Sequence, residues 1–258
     1  MVEGRKTQMK KFRPYVLSIG GHDPSAGAGV LADIKTLEAN KAYGLGVVSA
    51  ITFQNESEFD EVSWISERDI KKQAEVLYRK HRFEVVKIGL IENSEVLDKL
   101  VSFLLSLDAK MRIIWDPILK ASAGPDIHKK MEKEKLEPVY KNIFLLTPNT
   151  SEARALTGNP DETAAANELS AYCNVYLKGG HSVKNTNKDI LFTREGKRST
   201  FNPKQTGFEK HGSGCVLSAA IAANLAKGYK LNAACLRGKR YVEKFLSSNK
   251  ALSGYHKI

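Results

Sequence analysis

A run of small residues before an alanine-rich segment is the clearest candidate for a binding site in this sequence. The residues His-Gly-Ser-Gly-Cys at 211–215 lead into a predicted helix at Ser213–Ala226. The first N–H groups of a helix have no partner within it, and the helix dipole adds partial positive charge at that end. We therefore predict an anion hole for phosphate, with a tightly packed helix and an inert cysteine as the alternative. Its residues are Gly212, Ser213, Gly214 and Cys215.

The cysteine of this run lies in the first turn of the predicted helix. The helix dipole favours a thiolate over a thiol, so we expect the pKa of Cys215 to be lowered and its sulfur to be reactive. That expectation makes Cys215 a candidate for a direct part in catalysis.

A second glycine-rich turn follows the first predicted strand, Val16–Ile19. Residues 20–29 read Gly-Gly-His-Asp-Pro-Ser-Ala-Gly-Ala-Gly, and a helix is predicted to begin near Val30. Glycine lets the backbone approach a ligand closely and adopt positive φ. The turn lacks the Gly-Lys-Ser/Thr ending of a Walker A loop and the glycine spacing of a dinucleotide fingerprint. A turn that binds no ligand is the alternative.

Two polar residues near that turn are candidates for ligand contacts. Asp33 leans toward the apolar face of the predicted helix, so its carboxylate should be partly buried and needs a partner. Gln54 follows the predicted strand Val47–Phe53, where its amide can both donate to and accept from a heterocycle. The alternatives are that Asp33 pairs with a lysine and that Gln54 caps a turn.

Charged residues follow two further predicted strands. Asp116 comes after Ile113–Trp115, and Lys178 with two glycines comes after Val175–Leu177. A carboxylate there can help to position Mg²⁺, and a lysine beside glycines can contact nucleotide phosphates. Ordinary strand ends that face water are the alternative for both.

Asn149 and Glu152 follow the predicted strand Ile143–Leu146. They are three residues apart and share one face of a starting helix, so Glu152 can hold Mg²⁺ through its water shell. A helix start with an acidic first turn accounts for the same pattern.

Short apolar runs rich in β-branched residues alternate with segments of helical periodicity along the chain. That alternation predicts a mostly parallel sheet with helices on both faces, which is a three-layer α/β/α sandwich. No long linker or repeat interrupts it, so we expect a single domain over residues 1–258, with 1–13 as a flexible N-terminal segment. The other predicted elements are the strand Val85–Ile88 and the helices Glu67–Lys80, Ser94–Leu107 and Asp161–Tyr172.

The composition limits the class of protein. A formal net charge of +11 would suit a nucleic-acid-binding protein, but the basic residues are scattered among glutamates, and no nucleic-acid-binding motif accompanies them. No segment approaches the ~20 apolar residues of a membrane-spanning helix. The three cysteines lack the spacing of a zinc site or a disulfide framework. We therefore expect a cytoplasmic protein that binds neither nucleic acid nor membrane.

Eight short motifs, taken in order, resemble those of the hydroxymethylpyrimidine/phosphomethylpyrimidine kinases across nearly the whole chain. The resemblance implies a ribokinase-like fold, a homodimer, and ATP with Mg²⁺. It implies two successive phosphorylations for thiamine synthesis, first of the hydroxymethylpyrimidine and then of its monophosphate. The motifs are the run at 20–29, Ala-Asp-Ile-Lys-Thr (32–36), Gln-Asn (54–55), Lys-Ile-Gly (87–89), Asp-Pro (116–117), Thr-Pro-Asn-x-x-Glu (147–152), Lys-Gly-Gly-His (178–181) and the run at 211–215.

The resemblance also implies roles for individual residues. Cys215 stands where the family has a cysteine and sugar kinases have an aspartate base, so it would take the proton of the substrate hydroxyl or orient that hydroxyl. The implied substrate contacts are Gly21, Asp33, Gln54 and Leu90; the nucleotide contacts are Asn149, Lys178 and Gly180; and magnesium would be positioned by Glu152, with Asp116 as a second carboxylate.

Some residues depart from the family pattern. Leu90 stands where methionine is usual, Lys210 where threonine is usual, and Ser213 replaces a threonine but keeps its hydroxyl. Pyridoxal kinase is the alternative within the superfamily, because both acceptors are small hydroxymethyl heterocycles. A pyrimidine-binding protein without catalysis is the other alternative, but it would be favoured by loss of Cys215 or Glu152, and both are present.

Overall fold

The structure is a computed structural model that describes residues 12–119, 131–180 and 188–256. The strands are β1 (Tyr15–His22), β2 (Tyr43–Gln54), β3 (Phe59–Trp64), β4 (Val85–Ile88), β5 (Arg112–Trp115), β6 (Leu145–Leu146), β7 (Asn174–Leu177), β8 (Asp189–Phe192) and β9 (Arg198–Phe201). The α-helices are α1 (Gly29–Ala39), α2 (Glu67–Lys80), α3 (Ser94–Leu107), α4 (Leu136–Asn142), α5 (Thr150–Thr157), α6 (Glu162–Leu169), α7 (Ser213–Ala226) and α8 (Leu231–Leu246).

The described strands form one sheet in the order β3-β2-β1-β4-β5-β6-β7-β8-β9. The six strands from β2 to β7 in that order are parallel, whereas β3, β8 and β9 are antiparallel to their neighbours. The strand order reverses between β1 and β4. Ligands of open α/β sheets bind at the carboxyl ends of the strands beside such a reversal. The topology therefore places a candidate site at the carboxyl ends of β1 and β4.

Helices cover both faces of the sheet, because successive residues of a strand point to opposite sides. Val16 and Val85 pack with α1, α7 and α8 in one core, whereas Leu17 and Val86 pack with helices α2 to α6 in the other. All four side chains are fully buried. Strands buried on both faces are typical of parallel sheets. The predicted three-layer α/β/α arrangement is confirmed.

Several predicted elements agree with the structure in their bounds. Helices α2, α3 and α7 begin and end at the predicted residues. The predicted strand Ile143–Leu146 begins later, at Leu145, because α4 reaches Asn142 and the Ile143 N–H donates to the Val139 carbonyl. The predicted helix Asp161–Tyr172 is shorter, since Asp161 caps α6 and the helix ends at Leu169.

The antiparallel strands and the helices α4 and α8 lie outside the elements that periodicity predicts. Strand β3 is exposed or half-exposed along its length and lies at the end of the sheet, so it carries no buried run to mark it. Of the predicted flexible segment 1–13, residues 1–11 lie outside the described ranges, and Arg13 pairs with Glu38 at 2.6 Å. The single domain stays a prediction. Within the described ranges, no helix is long and apolar enough to cross a membrane.

A buried ion pair fixes α8 to the strands beside it. The Lys239 ammonium lies 2.9 Å from the Asp189 carboxylate, which also accepts from the Tyr176 hydroxyl at 2.8 Å. The other Asp189 oxygen accepts from the Gly179 N–H at 2.8 Å. Because Gly179 follows Lys178, this pair also fixes the backbone next to a candidate site residue.

We expect Lys239→Met to lower the free energy of unfolding by roughly 3–5 kcal/mol, because it leaves the Asp189 carboxylate buried without its cation. The exposed Lys244 on the same helix provides a matched control, and Lys244→Met should change that free energy by less than about 0.5 kcal/mol. Urea unfolding followed by circular dichroism measures both. Equal effects of the two substitutions would contradict the role given to the pair.

Candidate active site

The candidate site is formed where the carboxyl ends of the central parallel strands meet the beginning of α7. Helix α7 packs against β1 and β4. Asp116 follows β5, and Lys178 follows β7. These elements converge although they are far apart in sequence, because parallel strands all present their carboxyl ends on one side of the sheet.

A buried ion pair forms the base of the site. The Lys178 ammonium lies 2.8 Å from Asp116 Oδ1, which also accepts from the Thr147 hydroxyl at 3.1 Å. The other oxygen, Oδ2, accepts from the Ser218 hydroxyl of α7 at 3.1 Å. Although burial opposes its ionised form, Lys178 and Lys87 hold the pKa of Asp116 below its usual value. Asp116 is therefore a carboxylate that is paired and fully hydrogen-bonded within the protein.

Glu152 lies next to this pair. Its Oε2 accepts from the Asn149 N–H at 2.6 Å and lies 3.6 Å from the Lys178 ammonium. The Asn149 side chain in turn accepts from the Glu152 N–H at 2.8 Å, so the two residues form a capping box at the start of α5. The helix start that the sequence allowed as an alternative is therefore present. Burial raises the pKa of Glu152 to about 7 against the opposing effect of Lys178.

The two acids differ in how well they fit a magnesium ion. Mg²⁺ takes oxygen ligands and keeps several waters. Asp116 is the less suitable acid for direct coordination, because its Oδ1 already accepts from Lys178 and Thr147. Glu152 fits better, since a cation near it would favour the ionised form that burial disfavours. Among the described residues no group of three or more acidic, histidine or cysteine side chains forms a metal cluster, so the ion would also need phosphate oxygens and water.

The first turn of α7 has no side-chain cap among the described residues. Its first helical hydrogen bond runs from the Val216 N–H to the Gly212 carbonyl. Gly212 has φ +71, and a Cβ there would lie 2.1 Å from the Gly27 carbonyl oxygen, so only glycine fits. A Cβ at Gly214 would lie 3.4 Å from the Lys178 ammonium. The Lys178 ammonium therefore lies beside the first turn of α7.

The expected pKa of Cys215 is wrong in direction. Burial raises the pKa of this thiol to about 11, although Lys87 and a hydrogen bond from the Gly29 N–H act to lower it. Cys215 is 5% exposed and lies near the buried acids Asp33 and Asp116, which add to the cost of a thiolate. Loss of solvation therefore outweighs the effect of Lys87 and of the Gly29 N–H, and a pKa of about 11 favours the neutral thiol at physiological pH.

Asp33 is buried completely, and its partner is a lysine. Its Oδ2 accepts from the Lys87 ammonium at 2.8 Å and from the Ser18 hydroxyl at 2.6 Å. The other oxygen, Oδ1, is buried and accepts no hydrogen bond from the residues that the structure describes. Burial raises the pKa of Asp33, and Lys87 opposes that rise. One half of the carboxylate thus has a structural role, and the other half is an unused acceptor.

The remaining predicted site residues are the substrate contacts Gly21, Leu90 and Gln54 and the nucleotide contact Gly180. Gly21 and Leu90 come together, since a Cβ at Gly21 would lie 3.0 Å from Leu90 Cδ2. Gln54 ends β2 beyond the last residue that pairs with β1, and its half-buried side chain makes no hydrogen bond to the other site residues within the described ranges. Gly180 is exposed, and a Cβ there would meet nothing within 4 Å. The structure therefore brings Gly21 and Leu90 together, and the roles of Gln54 and Gly180 stay predictions.

Sequence reasoning assigned no role to several residues that the site uses. Lys87 belongs to the Lys-Ile-Gly motif at 87–89. It pairs with Asp33 and lies near Cys215. Ser218 lies on the face of α7 that meets the sheet, one turn after Gly214. Asp23 and His211 form a buried pair between the two glycine-rich runs, with Oδ2 and Nε2 2.9 Å apart. Both lie in motifs, but nothing in their spacing indicates a contact across 188 residues.

Comparison with known proteins gives a consistent family. A family model described as Phosphomethylpyrimidine kinase matches residues 23–257. The chain is 30% identical to the Hydroxymethylpyrimidine/phosphomethylpyrimidine kinase of Aquifex aeolicus, over 94% of this chain and 98% of that protein. It is 31% identical to the Thiamine biosynthesis bifunctional protein ThiED of Geobacter sulfurreducens, over 89% of this chain but only 48% of that longer protein.

Two solved structures have similar folds. One is a phosphomethylpyrimidine kinase from Clostridium difficile 630, with a TM-score of 0.75, 30% identity and coverage of 89% of this chain and 98% of that chain. The other is a Bacillus subtilis pyridoxal kinase in an ADP complex, with a TM-score of 0.80, 23% identity and coverage of 95% and 98%. At 23% identity the second likeness shows the fold alone. The predicted ribokinase-like fold is confirmed.

We expect the rate of Cys215 alkylation by iodoacetamide to rise about tenfold per pH unit from pH 7 to 9.5, because a thiol of pKa about 11 gains thiolate throughout that range. Peptide mass spectrometry separates Cys215 from the other two buried cysteines, Cys173 and Cys235. Circular dichroism at each pH controls for unfolding. A rate that levels off below pH 8 would show that the dipole prevails over burial.

Proposed function

This chain belongs to the phosphomethylpyrimidine kinase family, and on that premise we propose that it transfers the γ-phosphoryl group of ATP to 4-amino-5-hydroxymethyl-2-methylpyrimidine and then phosphorylates the monophosphate to the diphosphate. The product would serve thiamine synthesis. The observation that carries the proposal is the uncapped first turn of α7, which lies beside the Lys178 ammonium. Such an arrangement suits the oxygens of a phosphoryl group.

The acceptor side of the proposal rests on Asp33, Gly21 and Leu90. The resemblance assigns Asp33 to the pyrimidine side, and because its carboxylate is fully buried it would act there by holding Lys87 beside Cys215. Gly21 and Leu90 form an apolar wall for the ring. Gln54 would contribute its amide from β2.

The nucleotide side rests on Lys178 and Gly180. Lys178 holds a positive charge in the site, since nearby acids raise its pKa despite its burial. Gly180 leaves open space beside it, and Asn149 fixes the start of α5 from which Glu152 projects. Glu152 would hold the water shell of Mg²⁺, with Asp116 keeping Lys178 in place. Bound magnesium neutralises the phosphate charge that develops during transfer.

The transfer itself needs positioning more than a strong base. The acceptor oxygen forms a bond to the γ-phosphorus as the bond to the leaving ADP oxygen breaks, and the hydroxyl proton is lost late to the transferred phosphoryl group. The neutral Cys215 thiol would orient the acceptor hydroxyl by hydrogen bonding. The amides of Ser213, Gly214 and Cys215 would stabilise the phosphoryl oxygens.

We expect ADP release with ATP and Mg²⁺ when the acceptor is the hydroxymethylpyrimidine or its monophosphate, with little release for pyridoxal or ribose. Cys215→Ala should lower kcat by about 10- to 100-fold. This loss is smaller than the largest effects of removing a general base, because a loose transition state depends little on proton removal from the acceptor. The matched control is Cys235→Ala, which removes a buried thiol from α8, outside the site.

Each outcome of this assay has a distinct meaning. Turnover with pyridoxal alone would support the proposed site but show that the acceptor is pyridoxal and not the pyrimidine. No ADP release with any of the four acceptors would point to a pyrimidine-binding protein without catalysis. Equal loss in the two cysteine variants would show that Cys215 acts through packing and not through the hydroxyl.

A cytoplasmic location is part of the same proposal. All three cysteines are free in the structure, which suits a reducing compartment. ATP and the proposed acceptor are also small molecules of the cell interior.

A homodimer is proposed from the family resemblance, and Ile51 and Phe53 of β2 are the side chains that we expect it to bury. They are 42% and 48% exposed on one face, beside the end strand β3. Removing such apolar surface from water favours association. Light scattering should give a mass near twice 28.6 kDa, and Phe53→Glu should give the monomer mass. A monomeric wild type would contradict the proposal.

A further inference from the structure

The buried pair of Asp23 and His211 joins two loops of the site. Asp23 belongs to the turn after β1, and His211 immediately precedes the residues that begin α7. Their side chains are 1% and 5% exposed, and Asp23 Oδ2 lies 2.9 Å from His211 Nε2. The pair is therefore a contact between two segments that are distant in sequence and that both border the proposed site.

Asp23 also fixes the glycine-rich turn on its own side. Its carboxylate accepts from the Ser25 N–H at 2.9 Å, the Ser25 hydroxyl at 2.8 Å and the Ala28 N–H at 2.8 Å. Burial opposes ionisation, but these donors and His211 lower the pKa of Asp23 to about 2. The carboxylate is therefore ionised throughout the physiological range and accepts from the Nε2–H of His211.

His211 is held between that carboxylate and the C-terminal part of the chain. Its backbone N–H donates to the Leu252 carbonyl at 3.0 Å. A Cβ at Gly27 would lie 2.6 Å from His211 Cδ2, so the imidazole packs directly on the glycine-rich turn. A Cβ at Gly212, the next residue, would lie 2.1 Å from the Gly27 carbonyl oxygen, so the two backbones are in close contact. Any shift of the imidazole would therefore move the first amides of α7.

We propose that Asp23 and His211 form a positioning pair that holds the glycine-rich turn and the first turn of α7 at a fixed separation, so that the acceptor hydroxyl meets the phosphoryl group in line. This role rests on the proposed kinase function. Neither residue needs to touch the substrate. The pair acts through the backbone of Gly27 on one side and of Gly212 on the other.

The first measurement is steady-state kinetics of two His211 variants. His211→Leu removes the N–H donor, and we expect kcat to fall about 100-fold, the cost of misplacing reacting groups by about 1 Å. The dissociation constant for ATP, measured by calorimetry, should change less than about threefold, since Lys178 is untouched. His211→Gln keeps an N–H donor near the position of Nε2, so its kcat should return to within about fivefold of wild type.

The matched control is His256→Leu. His256 is also partly buried and bonded through its ring, with Nδ1 2.9 Å from the Tyr241 hydroxyl, but it follows α8 in the chain, packs on that helix and lies outside the proposed site. We expect its kcat to stay within about twofold of wild type. A full kcat in His211→Leu, or an equal loss in His211→Gln, would overturn the positioning role.

Amide hydrogen exchange without substrate separates this inference from the proposed function. His211→Leu should speed exchange in the peptides that cover residues 24–29 and 212–216, while the peptides of α2 and α3 keep wild-type rates. His211→Gln should restore protection. Faster exchange throughout the protein, or no change in either loop, would overturn the inference. A wild type that phosphorylates no acceptor would overturn the proposed function, and the exchange rates would still decide whether His211 joins the two loops.

Discussion

Two buried lysines balance the buried acids at the carboxyl ends of the strands, and the geometry of the site depends on this balance. Lys87 pairs with Asp33, and Lys178 pairs with Asp116 and lies near Glu152. A buried charge is tolerated only when it is paired and hydrogen-bonded. Each acid is thereby held in one position, and the first turn of α7 lies over a rigid polar base whose side chains have no freedom to rearrange.

The same balance explains why a neutral cysteine suits the site. Under the proposed function, the amides of α7 and the Lys178 ammonium would provide the positive character that a phosphoryl group needs. A thiolate at Cys215 would add negative charge beside that group and beside Asp33 and Asp116, whose effect on the thiol is already unfavourable. Burial keeps the proton on Cys215, so the attraction for phosphate is preserved.

The topology of the sheet provides the space in which these groups meet. The strand order reverses between β1 and β4, and the connections after these strands diverge there. The glycine-rich turn after β1 and the beginning of α7 border this space, and Asp23 with His211 joins them. Small residues are required at their contact, because a side chain at Gly212 would overlap the backbone of Gly27.

The sequence by itself determined the features that depend on neighbours along the chain. The apolar period of α2 and α3 indicated their bounds, α7 was marked by a run of small and apolar residues that is buried on all sides, and the order of short motifs indicated the family. The small residues before α7 predicted where that helix begins, because helix starts are local structures, and the anion hole there is part of the proposed function. Short half-exposed strands such as β3 escaped detection, since they bury too little to leave a pattern.

Only the tertiary structure decided the charge states and the partners. The helix dipole, a local effect, predicted a reactive Cys215, but burial by residues far away in sequence reversed the direction of its pKa. Asp33 was expected to need a partner, and folding selected Lys87, 54 residues further along the chain. The contact of Asp23 with His211 had no sequence signal at all. The apolar period of a helix depends on residues that are near in sequence. The solvation and the charge partners of a side chain depend on all the residues that the fold brings close to it.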